Sequence, residues 1–143
     1  MAGYLNNPEA TRDTFTEDGW LRTGDIVTYD EDGYFFVVDR IKELIKVKGH
    51  QVSPSEVEGE LRALPGVMDA GVVGVADERA GEVPRAFVVR GDPNLTKEQV
   101  EAFIASRLAP HKHLKGGVVF VEELPKSPAG KLLRRLLKET QGE

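Results

Sequence analysis

The sequence predicts an α+β fold: a small, mostly antiparallel sheet covered by helices, preceded by a β-hairpin segment that belongs to the end of a larger domain. Three observations carry this. Two helix starts with capping signatures, at Ser53-Pro54-Ser55-Glu56 and Thr96 to Gln99, alternate with short apolar strand runs. Those runs are linked by tight turns as often as by long crossovers. Residues 17 to 40, in contrast, carry turn pairs and aromatic strands and are poor in helix signals, and a few hairpins without a helix layer rarely make a core of their own.

The elements follow in order. Asn7 is placed to cap a short helix with Pro8 at its first position and Glu9 in its first turn. Asp18-Gly19 and Asp32-Gly33 mark turns around strands that include "YFFVV". The texture changes after Asp39-Arg40. "IKVKGHQV" reads as a strand, a tight turn and a second short strand, with Lys46 and Lys48 on one strand face. Val57, Leu61 and Leu64 then recur at helical spacing until Pro65-Gly66. "VMDAGVVGVAD" and "EVPRAFVVRG" read as two strands, Val100, Phe103, Ile104 and Leu108 as one helix face, and "GGVVFVEEL" as another strand. A loop, "PKSPAGK", leads into a last short helix bearing Leu132, Leu133, Leu136 and Leu137.

Composition narrows the function. A chain of 143 residues with 40% hydrophobic and 30% charged residues is globular rather than disordered. A net charge of −5 argues against a general nucleic-acid binder. No cysteine is present, which removes disulfides, thiolate metal sites and cysteine nucleophiles and suits a cytoplasmic protein. No apolar run is long enough to span a membrane, "AGYLNNPEAT" is no signal leader, and "KETQGE" is no lipidation signal. His50, His111 and His113 lack metal-ligand spacing, so no metal site is expected and no role is given to them.

Several residues admit a chemical reading beside a structural one. Asp25 of "RTGD" follows a glycine and can accept two hydrogen bonds from a vicinal diol, or simply bind turn amides. Arg40 can donate to a hydroxyl or phosphate, or form a surface pair. Lys42 lies at the change of texture. Lys46 and Lys48 either face an anion or keep an edge strand soluble. Gly49, between a lysine and His50-Gln51, permits a backbone conformation or a close approach that a side chain forbids. Lys131 ends a Pro- and Gly-bearing loop that could hold its ammonium toward a phosphate, or leave it in solvent. The phosphate loop GxxxxGK[ST] is absent.

Read together, "GYLNNPEAT", "GWLRTGD", "DGYFFVVDRIKELIKVKGHQVSPSEVE" and "LPKSPAGKLLRR" resemble, in order, the C-terminal part of adenylate-forming enzymes of the acyl-CoA synthetase, 4-coumarate–CoA ligase and luciferase superfamily. The resemblance covers essentially the whole chain. It implies that residues 1–38 close a large N-terminal domain that binds ATP and the acid, and that 39–143 form a mobile lid. It implies an enzyme that joins a small carboxylic acid, fatty or aromatic, to coenzyme A with ATP and Mg²⁺, by way of an acyl-adenylate. In this reading the large domain is the lid's partner, holds most of the substrate contacts, and lies outside a chain that is a fragment or a separately encoded half, inactive alone.

By the same resemblance Asp25 holds the ribose hydroxyls with Arg40 beside it, Lys42 is the hinge, and Lys131 bridges the α-phosphate and the substrate carboxylate during adenylation. Lys46 and Gln51 contact the adenylate after the lid rotates, and Gly49 leaves a channel for the thiol arm; Lys48 receives no role. His50 stands where related ligases often carry tyrosine, and "SPAGK" departs from the Asn-Gly-Lys of peptide-synthetase modules. The alternatives are a non-catalytic lid-like module that docks on a partner or separate large subunit, and the same fold serving a carrier protein or a luciferase-like oxidation.

Overall fold

The computed structural model describes residues 1–139; the end of the "KETQGE" segment lies outside the described residues. The chain divides into two compact units, Met1–Lys42 and Glu43 onward.

In the first unit, α1 (Pro8–Thr14) starts where Asn7 Oδ1 accepts the Ala10 amide at 3.0 Å, as the cap signal predicts. A two-stranded antiparallel ribbon follows, β1 (Asp25–Tyr29) and β2 (Phe35–Arg40), with a bulge between Ile26 and Val27. Its turn is closed by Asp30, whose Oδ1 accepts the amides of Asp32 and Tyr34, while Gly33 supplies a φ of +83° that other residues resist. Asp39 and Arg40 pair with Ile26 and Asp25, so they belong to this ribbon.

The second unit is built on five strands. β3 (Ile45–Val47) and β4 (His50–Val52) form a hairpin. After α2 (Pro54–Arg62) come β5 (Val67–Asp77) and β6 (Gly81–Arg90), a long antiparallel pair. β6 is central: β5 lies on one edge, and the other edge meets β3 at Gly81 and β7 (Val118–Val121) along Ala86–Val89. The β6–β7 pairing is parallel, because α3 (Lys97–Arg107) carries the chain back across the sheet between them. α4 (Arg134–Glu139) ends the described chain.

Helices on both faces explain why these strands read as unbroken apolar runs. Ala70, Val72, Ala86, Val88 and Val118 alternate into a core with Val57, Leu61, Val100 and Ile104 from α2 and α3. Their neighbours Val73 and Phe87 point the other way, onto Leu124 and Leu137. α3 starts on the complete capping box predicted from Thr96 and Gln99. Ser53 caps α2 by accepting the Glu56 amide, but the Glu56 carboxylate is drawn to Lys112 Nζ at 2.6 and 2.7 Å, a partner 56 positions away.

Candidate functional site

The ribbon brings Asp25 and Arg40 together. They are cross-strand partners, and Arg40 Nε lies 2.9 Å from Asp25 Oδ1. Gly24, at φ +76°, makes the bend before Asp25, and its carbonyl accepts the Ile41 amide at 2.9 Å. The carboxylate is thus held in place by an arginine that is itself half in solvent. Lys42 sits in a short 3₁₀ turn, Ile41–Glu43, at the boundary between the two units.

The β3–β4 hairpin places Lys46 and Gln51. Ile45, Val47 and Val52 are buried, so the intervening Lys46 and its cross-strand partner Gln51 are turned outward. Lys48 does not share the strand face of Lys46. It occupies the turn, where Lys48 and Gly49 have φ of +49° and +83°, the double positive φ of a type I′ hairpin. Gly49 is therefore accounted for by backbone conformation; a Cβ there would meet open space. Lys46 has no ion pair among the described residues, whereas Lys112, Lys126 and five of the arginines do.

Lys131 lies on a second hairpin. Lys126 and Leu132 form an antiparallel bridge, the Ser127 amide donates to the Lys131 carbonyl at 2.8 Å, and Ser127 Oγ accepts the Lys131 amide at 3.1 Å. The hairpin is tethered by Lys126 to Asp69 of β5 and by Leu132, which packs into the core cluster of Val73 and Phe87. Lys131 is exposed and its ammonium forms no ion pair among the described residues. Its backbone is thus fixed and its charge available.

Two groupings escape the sequence reading. His50 and His111 stack, with ring centroids 4.5 Å apart and planes at 19°. Partial burial, then the neighbouring His50 and Lys112, lower the pKa of His111 below its ordinary 6.5. Next to Lys131, Arg134 reaches into a nearly closed ion network with Glu43, Glu58 and Ser55. Burial raises the Glu58 pKa against the opposing pull of Arg134 and the Val72 amide. No local pattern announces either grouping. The one available signal was the paired "RR" in an otherwise apolar helix start.

No group of three metal-ligating side chains converges among the described residues. No helix among the described residues is long and apolar enough to cross a membrane.

A small, mostly antiparallel sheet covered by helices matches the C-terminal domain of adenylate-forming enzymes. The family of AMP-binding enzyme C-terminal domains matches residues 56–131, and the chain belongs to it. The chain is 50% identical to a luciferin 4-monooxygenase of Luciola mingrelica, over all of this chain and 27% of that protein. It is 51% identical to 4-coumarate–CoA ligase-like 6 of Arabidopsis thaliana, over 96% of this chain and 24% of that protein. The crystal structure of ATP-bound MatB from Rhodopseudomonas palustris aligns with a TM-score of 0.89 at 38% identity, covering 96% of this chain and 27% of MatB. The chain therefore spans about a quarter of the length of these relatives.

Proposed function

We propose that this chain is the closing part of an ATP-dependent acid–CoA ligase, with residues 1–38 ending the large substrate-binding domain and 39–143 forming its mobile lid. The observation that carries the reading is the pair of hairpins in the second unit, each presenting a lysine with no ion pair among the described residues: Lys131 on one, Lys46 beside Gln51 on the other. Two presentation sites on one body suit an enzyme whose lid serves two successive reactions. The unit boundary directly after Lys42 supports that residue as the hinge.

In the first reaction the substrate carboxylate attacks the α-phosphorus of ATP; an O–P bond forms, and the P–O bond to pyrophosphate breaks. Both reactants are anions. The fixed ammonium of Lys131 between them stabilises the charge that builds on the phosphoryl oxygens. Asp25 accepts hydrogen bonds from the ribose hydroxyls and Arg40 holds it in position. Mg²⁺ would neutralise the triphosphate from the large domain. Rotation at Lys42 then replaces the Lys131 hairpin with the β3–β4 hairpin. The coenzyme A thiol gives up its proton to solvent and its sulfur adds to the acyl carbon; the C–O bond to AMP breaks and AMP leaves with the electron pair, while Lys46 and Gln51 contact the adenylate and Gly49 leaves room for the pantetheine arm.

A second reading keeps the adenylation and changes the acceptor, because the chain is as similar to a luciferin 4-monooxygenase as to a CoA ligase relative. The experiment is an assay of the complete enzyme with ATP, a panel of aliphatic and aromatic acids, and coenzyme A. Acid-dependent AMP and thioester support the ligase. AMP formed without thioester, with light or transfer to a carrier protein, selects the other acceptor. No acid-dependent pyrophosphate from any acid rejects both and leaves the non-catalytic module.

A further inference from the structure

We propose that Arg134 is a positioning residue for adenylation: it clamps the Lys131 hairpin to Glu43, so that rotation at the hinge reaches Lys131 without slack. The proposal rests on the reading of Lys131 and Lys42 above.

Arg134 is the first residue of α4, three positions after Lys131. Its guanidinium is used as a fork. Nη1 donates to Glu43, the first residue of the second unit and the neighbour of Lys42. Nη2 donates to both oxygens of Glu58 on α2, at 2.9 and 2.8 Å. Glu58 is in turn pinned to the sheet, accepting the Val72 amide at 2.8 Å. One side chain thus joins the entry of the unit, a core helix, the central sheet and the segment that bears Lys131. The side chain of Arg134 is 13% exposed and that of Glu58 5%.

Stability is a poor reason for this arrangement. Buried ion pairs are often no better than apolar residues of like volume, and Arg134 Nε is buried without an acceptor among the described residues. What a planar fork does supply is fixed geometry toward two carboxylates at once, which a lysine cannot match. Arg135, one residue on, shows the contrast. It is 85% exposed and faces Glu139 at 3.7 Å within the same helix, a surface pair of little consequence. A shallow cleft lined by Glu43, Lys131, Leu133, Arg134 and Arg135 places clamp and hairpin side by side.

The test uses the complete enzyme and separates its half-reactions. Arg134→Lys keeps a cation beside buried Glu58, so the fold survives, but it cannot span to Glu43. Pyrophosphate release should fall about 10-fold or more through lost alignment, in kcat rather than in the KM for ATP. Thioester formation from supplied acyl-adenylate should hold. Glu43→Gln, which cuts the clamp from the other end, should reproduce the loss, and Arg135→Gln should not. In a Lys131→Ala background, Arg134→Lys should cost nothing further. Full additivity of the two changes, or unimpaired adenylation in both clamp variants, overturns the proposal. If Lys131→Ala itself leaves adenylation intact, the reading of Lys131 fails instead. Amide exchange then decides the clamp alone: faster exchange at Ser127, Lys131 and Leu133 in Arg134→Lys, with Ala86–Val88 unchanged, supports it, and unaltered hairpin exchange refutes it.

Discussion

Lys46 and Gln51 stand directly opposite one another across the β3–β4 hairpin, both exposed, while Ile45, Val47 and Val52 beside them are buried. Cross-strand partners have their Cβ atoms within about 5.5 Å, so an ammonium and an amide stand side by side on one exposed patch. Gln51→Ala in the complete enzyme should therefore weaken thioester formation from supplied adenylate, by roughly 10-fold for a lost hydrogen bond to a charged group, and leave pyrophosphate release nearly unchanged. An equal loss in both half-reactions would place Gln51 elsewhere.

Gly49 requires a variant that separates backbone from bulk. Its φ of +83° strains almost any side chain, but asparagine enters that region readily. Gly49→Asn should fold with a melting temperature close to that of the parent and still slow the thiol step more than adenylation. Thermal unfolding followed beside both half-reactions checks this; normal thioester formation in a folded Gly49→Asn rules out the channel.

The stacked histidines should make the hairpin sensitive to acid. The His111 pKa is held below 6.5 by partial burial, His50 and Lys112, with Glu56 pulling the other way. The folded chain then resists a proton that the unfolded chain accepts, so this contribution to stability is present above pH 6.5 and fades as the pH falls through the lower folded value. An NMR titration should find His111 titrating below 6.5, and His111→Gln should flatten the loss of stability between pH 7 and pH 5. Titration above 6.5 would contradict the stacked geometry.

Taken alone, the chain should fold and remain catalytically silent. The second unit has its own core on both sheet faces, but the phosphate loop GxxxxGK[ST] does not occur in the sequence. The Asp25–Arg40 pair is too little to offset the entropy of ligand binding. Calorimetry with ATP, AMP and coenzyme A should give dissociation constants no tighter than roughly millimolar; micromolar binding would mean a complete site within these residues.

Much of this arrangement was legible because it is local. Asn7, Ser53 and Thr96 announce helix starts through side chains that bond amides three residues on. Asp18-Gly19 and Asp32-Gly33 announce turns through backbone angles that glycine favours. The misreadings are of two kinds. Lys48 looked like strand because periodicity does not show where a hairpin turns; the twist of a two-residue I′ loop took it instead. The other kind is long-range. Glu56 was expected to complete a capping box, yet Lys112 claims it. Arg134 meets Glu58 across 76 positions, and His50 meets His111 across the fold. Such partners become neighbours only once the sheet has brought their elements together. Asp25, Arg40, Lys46 and Gln51 are legible as candidates, but their pairing rests on strand register, which the tertiary packing fixes.

The central claim is that one lid serves two reactions through two different lysines, and the half-reactions of Lys131→Ala and Lys46→Ala in the complete enzyme test it most directly. Pyrophosphate release with ATP and acid, and thioester formation from supplied acyl-adenylate, are measured for each variant. A crossed pattern is expected. Lys131→Ala loses adenylation by about 100-fold or more, as for a missing transition-state donor, and keeps thioester formation; Lys46→Ala keeps adenylation and is impaired in the thiol step. Parallel losses in both reactions for either variant, or the reverse assignment, would contradict it.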